Sequence, residues 1–257
     1  MGVNADYLGE IITVETEPGV ALQATVGYQD HTPLDRLLVV FPPHPSLGGD
    51  SANNVVAALF RQAVARPVLA MTFDYRGVRE GRVGETSLLA YWDRLEESRD
   101  FRPIVQDAVA VIRRVRDSFN PDAALWFAAY SFGNLVALQA AREVAVRGFA
   151  GISPPVFEYD IAPLLTGVPL PIFWIAPQDA FCPAGALDGL GTGRLCVREF
   201  PSEDHFFRGS EEALAGRVLE GLFGEATEER PADEARVSAN RAVCSGPAAP
   251  GVGGTDV

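Results

Sequence analysis

The stretch Ala123-Ala124-Leu125-Trp126-Phe127-Ala128-Ala129-Tyr130-Ser131-Phe132-Gly133-Asn134-Leu135-Val136 changes character in its middle. Ala124 to Ala128 is an apolar run of the kind a short buried strand makes, and from Asn134 the residues Leu135, Val136, Leu138, Gln139 and Ala140 take up helical spacing. Between the two stands Tyr130-Ser131-Phe132-Gly133. A serine at a strand-to-helix joint, with small residues two before and two after it, sits in a strained turn that pushes its hydroxyl out above the sheet. The small residues here are Ala129 and Gly133; the G-x-S-x-G form of the turn has glycine first, and alanine is still small enough to let strand and helix pass. Such a pattern is short, and in a chain rich in Ala and Gly about one match arises by chance. The flanking sequence therefore has to decide.

Working outward, strands and helices alternate on both sides of that joint. Upstream, Ile11 to Thr16 and Ala21 to Tyr28 read as an antiparallel hairpin joined at Pro18-Gly19. Leu37 to Phe41 is a continuous apolar strand, followed by the loop Pro42-Pro43-His44-Pro45-Ser46-Leu47-Gly48-Gly49. A helix is expected from about Asn53 to Ala65, and Val68 to Phe73 is the next strand, ended by Asp74-Tyr75-Arg76-Gly77. Leu88 to Leu95 makes one or two helical turns carrying Tyr91 and Trp92, and Phe101 to Phe119 is plainly helical before Asn120-Pro121 stops it. Downstream, the helix after Ser131 is expected to run to about Val146, with strands at Phe149 to Ile152, Pro171 to Ala176 and Leu195 to Phe200. Val156 to Val168 shows no strong pattern, and Glu211 to Phe223 closes as an amphipathic helix. This order predicts an α/β fold with a mostly parallel sheet of about eight strands, helices on both faces and right-handed crossovers. Residues 1–224 are expected to form one domain, and 225–257, which is Ala, Gly, Pro and charge without periodicity, a disordered tail.

Composition narrows the function classes. With 257 residues, 47% of them hydrophobic, and a formal net charge of -13, the chain has a large core and an acidic surface. Nucleic acid and anionic membranes, which require clustered Lys and Arg, are not expected partners. Met1 to Tyr7 has neither a basic region nor an apolar stretch and reads as no signal peptide. Three cysteines, Cys182, Cys196 and Cys244, make neither a disulfide framework nor a metal-ligand spacing, which suits a reducing cytoplasm. Cys182 reads as a small apolar filler.

A serine hydroxyl needs a base to become a nucleophile, usually a histidine oriented by a carboxylate. In the α/β-hydrolases, whose nucleophile turn Ala129 to Gly133 resembles, the chain order is Ser, acid, His, and of the three histidines here only His205 follows Ser131. It lies between the last strand and the last helix, where a base would be presented. Asp179 follows the strand Pro171 to Ala176 directly and is the expected acid; Asp160 and Asp188 are less well placed, and Asp204 adjoins the histidine and should point elsewhere. Oxyanion donors are expected in the backbone N–H of Phe132 and of His44, the one residue of Pro42-Pro43-His44-Pro45 with an amide proton to give.

Those residues resemble the small α/β-hydrolases whose third-strand loop reads H-P-H-P-x-x-G-G and whose fourth strand ends in F-x-x-R-G-V. The matching runs are Pro42 to Gly49 and Phe73-Asp74-Tyr75-Arg76-Gly77-Val78, and the likeness continues through Ala129 to Gly133, Gln178-Asp179 and Asp204-His205-Phe206-Phe207, covering roughly residues 10 to 223. The resemblance implies a cofactor-free, eight-stranded hydrolase core with a Ser131, Asp179, His205 triad. It departs at Pro42, which replaces the first histidine of the loop, and in a longer segment between Gly77 and Phe101 that reads as a partial lid.

The expected activity is cleavage of a small ester or thioester, free or carrier-bound, through an acyl-enzyme on Ser131. Tyr130, Phe132, Tyr91, Trp92, Phe157 and Phe181 are the candidates for an apolar substrate pocket. The same triad also serves acyl transfer, cyclisation or C–C cleavage when water is kept from the acyl-enzyme, with the Tyr91 region as the screen. A catalytically idle scaffold is the alternative from another class.

Overall fold

Every residue from Leu37 to Phe41 is fully buried, yet the five do not share one core. Leu37, Val39 and Phe41 face one side of the sheet and Leu38 and Val40 the other, the alternation of a strand covered on both faces. The computed structural model describes residues 7–169, 171–188, 190, 195–202 and 204–224. The tail expected over 225–257 lies outside the described residues.

In chain order the elements are β1 (Leu8–Glu17), β2 (Val20–Tyr28), β3 (Arg36–Phe41), α1 (Asn54–Val64) and β4 (Leu69–Phe73), then a small hairpin of β5 (Arg82–Val83) and β6 (Thr86–Ser87) leading into α2 (Leu88–Ser98) and α3 (Arg102–Phe119). After them come β7 (Ala124–Tyr130), α4 (Gly133–Ala140), β8 (Val146–Ile152), β9 (Ile172–Ile175), β10 (Cys196–Glu199) and α5 (Glu211–Phe223). Eight strands form one sheet in the order β1-β2-β4-β3-β7-β8-β9-β10. β2 pairs antiparallel with β1 and with β4, and every later pairing in the sheet is parallel. The buried sides of α1 and α5 share the core on one face, and those of α2, α3 and α4 share the core on the other.

Local chemistry sets the element ends. The Asn53 side chain accepts from the Val55 amide (3.0 Å) to open α1, and the Ser87 hydroxyl accepts from the Ala90 amide (3.3 Å) to open α2. A buried ion pair ties the end of β4 to α3: Arg76 Nε and Nη2 donate to the two Asp107 oxygens at 2.6 and 2.7 Å, and Nη2 also reaches Glu17 on β1 at 2.8 Å.

Two sequence expectations need correcting here. α4 stops at Ala140, not near Val146, and β8 starts at Val146, where Leu125 of β7 pairs with it. The run Ala140 to Val146 holds no glycine or proline to mark the stop; what ends the helix is the demand of β7 for a parallel neighbour, met by a tight turn at residues 141–144. Ala162–Gly167, where no pattern was evident, is a 3-10 helix, and Arg142 Nη2 donates to its Pro163 carbonyl at 2.7 Å.

Candidate active site

Ser131 follows β7 directly and carries φ of 52°, the left-handed backbone that a β-substituted residue adopts only under compulsion. Neighbouring groups supply that compulsion. The Ser131 amide donates to the Ile152 carbonyl at 2.9 Å, and the buried Asn134 side chain donates to the Ser131 and Ile152 carbonyls at 2.9 and 3.0 Å. A Cβ on Gly133 would sit 2.7 Å from the carbonyl oxygens of Phe41 and Pro42, so only glycine lets α4 lean on the end of β3. Ala129 is fully buried opposite Phe41 on β3 and Gly151 on β8, where its methyl is accommodated.

The three residues expected to act together do meet. His205 Nε2 lies 3.0 Å from Ser131 Oγ, and its Nδ1 lies 2.8 Å from Asp179 Oδ2. Ionised Asp179 accepts only, so the imidazole proton belongs on Nδ1, and Nε2 is left free to take the serine proton. Asp179 Oδ1 accepts from the amides of Phe181 (2.8 Å) and Cys182 (3.3 Å), which fixes the carboxylate's second edge. Burial is the largest single influence and pushes its pKa up, but its interactions, with His205 first and the Phe181 amide among the others, together outweigh burial and hold the carboxyl below its usual value. Asp204 caps the Phe206 amide at 2.8 Å and Asp160 the Ala162 amide at 3.2 Å, so neither competes for the imidazole. Tyr130 holds the histidine loop from below: its hydroxyl donates to the His205 carbonyl at 2.8 Å and its ring stacks on the imidazole. Cys182 is buried in the core, its thiol pushed up to about 12 by burial and the nearby Asp179 charge, as a filler would be.

The loop after β3 is held by Tyr75 and by its own backbone. Tyr75 Oη donates to the Pro42 carbonyl at 3.0 Å, and the amides of Leu47 and Gly49 both donate to the His44 carbonyl at 3.1 Å. A Cβ on Gly49 would meet the Pro43 and His44 carbonyl oxygens at 2.4 and 2.6 Å, so this turn too demands glycine. Among the described residues, no protein group accepts a hydrogen bond from the amide of Phe132 or of His44.

The His44 imidazole is fixed separately. Its Nδ1 accepts from the Ser46 amide at 3.1 Å, so its proton is on Nε2, which lies 3.1 Å from Glu96 Oε1 but off the line of a good hydrogen bond. Burial lowers the His44 pKa, and the Glu96 charge only partly offsets it. Glu96 also accepts from the Tyr159 hydroxyl and, at 2.6 Å, from Arg99 Nη1, whose guanidinium lies 5.1 Å from the centre of the Tyr159 ring.

Ser131 opens into a cavity of about 440 Å³ walled by the loop after β3, α2, the segment after β8, and the Asp179 and His205 loops. Tyr130, Phe132 and Phe181 line it as expected; Tyr91, Trp92 and Phe157 do not. Trp92 is wholly buried against His44, Tyr75 and Phe132, Tyr91 lies half-buried beside Arg76, and Phe157 is 66% exposed to solvent. Tyr91 is thus in no position to screen an acyl group from water. The segment between Gly77 and Phe101 forms a wall, and the α2 edge it turns to the cavity is charged: Asp93, Glu96 and, just past the helix, Arg99. A reading that follows only apolar spacing along α2 finds Trp92 and Leu95 and passes over these three. Tyr159, also missed, stands on the patternless stretch after β8.

Among the described residues no group of three or more His, Cys, Asp and Glu is arranged to hold a metal ion, and no helix is long and apolar enough to cross a membrane.

No family model and no curated protein matches this sequence. Solved structures do. An α/β serine hydrolase homologue from Coxiella burnetii superposes with a TM-score of 0.66 at 21% identity, covering 86% of this chain and all 100% of its own. A member of the α/β serine hydrolases from Xanthomonas campestris, described as lacking a lid, gives 0.64 at 22% identity over 83% of this chain and 93% of its own. The esterase Pf2001 from Pyrococcus furiosus gives 0.61 at 12% identity, over 83% and 89%. At such identities the likeness is one of architecture, and together with the strand order and the strained serine turn it establishes that this chain has the α/β-hydrolase fold.

Proposed function

We propose that this protein is a serine hydrolase that cleaves an ester or thioester through an acyl-enzyme. One observation carries the reading: the unbroken contact from Ser131 Oγ to His205 Nε2 (3.0 Å) and from His205 Nδ1 to Asp179 Oδ2 (2.8 Å), at the floor of an open cavity. His205 takes the serine proton as Oγ attacks the substrate carbonyl, and Asp179 stabilises the imidazolium that forms. The amides of Phe132 and His44 receive the oxyanion, each donor of this kind being worth about 3 kcal/mol to the transition state. His205 then protonates the leaving alcohol or thiol, and in the second half of the cycle deprotonates the water that releases the acid.

The position of Asp179 supports the assignment of the acid, because both of its oxygens are occupied by the imidazole and loop amides, leaving its orientation no freedom. Hydrolysis of p-nitrophenyl butyrate by the purified protein tests the reading. Turnover should be measurable and Ser131→Ala should lower kcat by about 10³-fold or more. Equal rates for the two proteins would remove Ser131 from the reaction.

A further inference from the structure

The cavity above Ser131 has aromatic sides and an acidic rim, and the two together say which charge a substrate should carry. Three carboxylates line it, Asp93, Glu96 and Glu158, against one guanidinium, Arg99. Arg99 is already engaged, since its Nη1 donates to Glu96 at 2.6 Å and its plane lies over Tyr159. His44, kept neutral by burial, adds no positive charge. Asp93 and Glu158 are exposed, and among the described residues neither has a cation within ion-pair distance. Among the lining side chains negative charges therefore exceed positive by two around an opening that leads to the serine; just outside the lining, Arg208 beside Phe206 and Asp204 at the Phe206 amide offset each other in formal charge.

The rings between rim and floor complement that field. Tyr159, Phe181 and Phe206 line the cavity; Arg99 already lies over Tyr159 at 5.1 Å and Arg208 over Phe206 at 4.9 Å, which leaves Phe181 as the ring of the three with no cation over it among the described residues. Carboxylates placed beside aromatic faces are the surroundings that attract an ammonium group and repel a carboxylate or phosphate.

We infer that the substrate is an ester or thioester bearing a positive charge, a protonated or quaternary amine in its acyl or its alcohol part, seated between Asp93, Glu158 and the aromatic wall. This rests on the hydrolase reading and goes further by setting the sign of the substrate. Polyanionic thioesters, such as those of phosphate-bearing carriers, are disfavoured by the same field.

Two matched substrate series test it. In the acyl series, p-nitrophenyl 6-aminohexanoate is compared with its neutral isostere, the heptanoate, and with the anionic monoester of adipate. In the alcohol series, butyrylcholine is compared with 3,3-dimethylbutyl butyrate. In at least one series kcat/KM for the cation should exceed that for the neutral isostere by about tenfold, with the adipate monoester slowest. That ratio should shrink as salt rises and fall toward one in the Asp93→Asn, Glu158→Gln double variant. Because each ratio is taken within one preparation, partial misfolding of the variant does not alter it. Neutral esters turned over as fast as their cationic partners in both series, or a cation preference untouched by the double variant, would overturn this inference alone. No turnover of any member would overturn the hydrolase reading together with it.

Discussion

Ser131 carries a backbone conformation that costs about 1–3 kcal/mol, and the Ile152 and Asn134 hydrogen bonds offset it. Side-chain chemistry and chain order were enough to bring Ser131, His205 and Asp179 together on paper as they stand in the structure, because a strand-to-helix turn and loops following two later strands can be recognised without coordinates. Glu96, Arg99 and Tyr159 were not legible in the same way. Their place at the site depends on which edge of α2 faces the cavity and on where a patternless segment runs. Trp92 and Tyr91 failed as pocket residues for the converse reason: a large ring on an amphipathic helix gains most by burial, and Trp92 is fully buried. His44 yields a prediction about pH. Its folded pKa is depressed below the unfolded value of about 6.5, so above that pH the folded and unfolded chains both hold it neutral. As pH falls from there the unfolded chain binds the proton first, and stability is lost until the folded value is passed. Urea unfolding at pH 7.5 and 5.5 should show a larger loss for the wild type than for His44→Gln; equal losses would mean that the buried imidazole does not resist protonation.

Among the elements, α4 shows where periodicity misleads. Leu135 to Val146 is helical in spacing, but the six residues after Ala140 turn and begin β8, since a strand beside β7 satisfies more backbone than two further helical turns would. In the connection between β4 and α3 the run Phe73-Asp74-Tyr75-Arg76-Gly77-Val78 and the helical turns of Leu88 to Leu95 were legible, but not what Arg76 does. It pairs with Asp107, and the two side chains are 6% and 2% exposed. Removing Asp107 leaves the Arg76 charge buried, with the half-exposed Glu17 at 2.8 Å and the Pro103 carbonyl at 3.5 Å as its remaining acceptors among the described residues. Asp107→Ala should therefore lower the unfolding free energy by about 3 kcal/mol or more, read from denaturant midpoints. A loss below about 0.5 kcal/mol would show that the pair adds little and that Arg76 finds water instead.

For the molecule as a whole, the doubly covered sheet was the most legible feature, because the continuous apolar runs Leu37 to Phe41 and Ala124 to Ala128 leave no polar face for solvent. What the sheet accomplishes is long-range: Ser131, Asp179 and His205 leave the ends of different strands and meet at one edge, with the charged side of α2 as one wall of the open cavity above them. Fold likeness at 22% identity and below extends to that scaffold and stops there. The chemistry is tested most directly by treating the folded protein with a fluorophosphonate and measuring intact mass, followed by peptide mapping. One adduct per chain is expected, located on Ser131 and lost in both Ser131→Ala and His205→Ala. A folded wild type that takes no label, or His205→Ala protein that labels as fast as wild type, would contradict the activation of this serine by its neighbours.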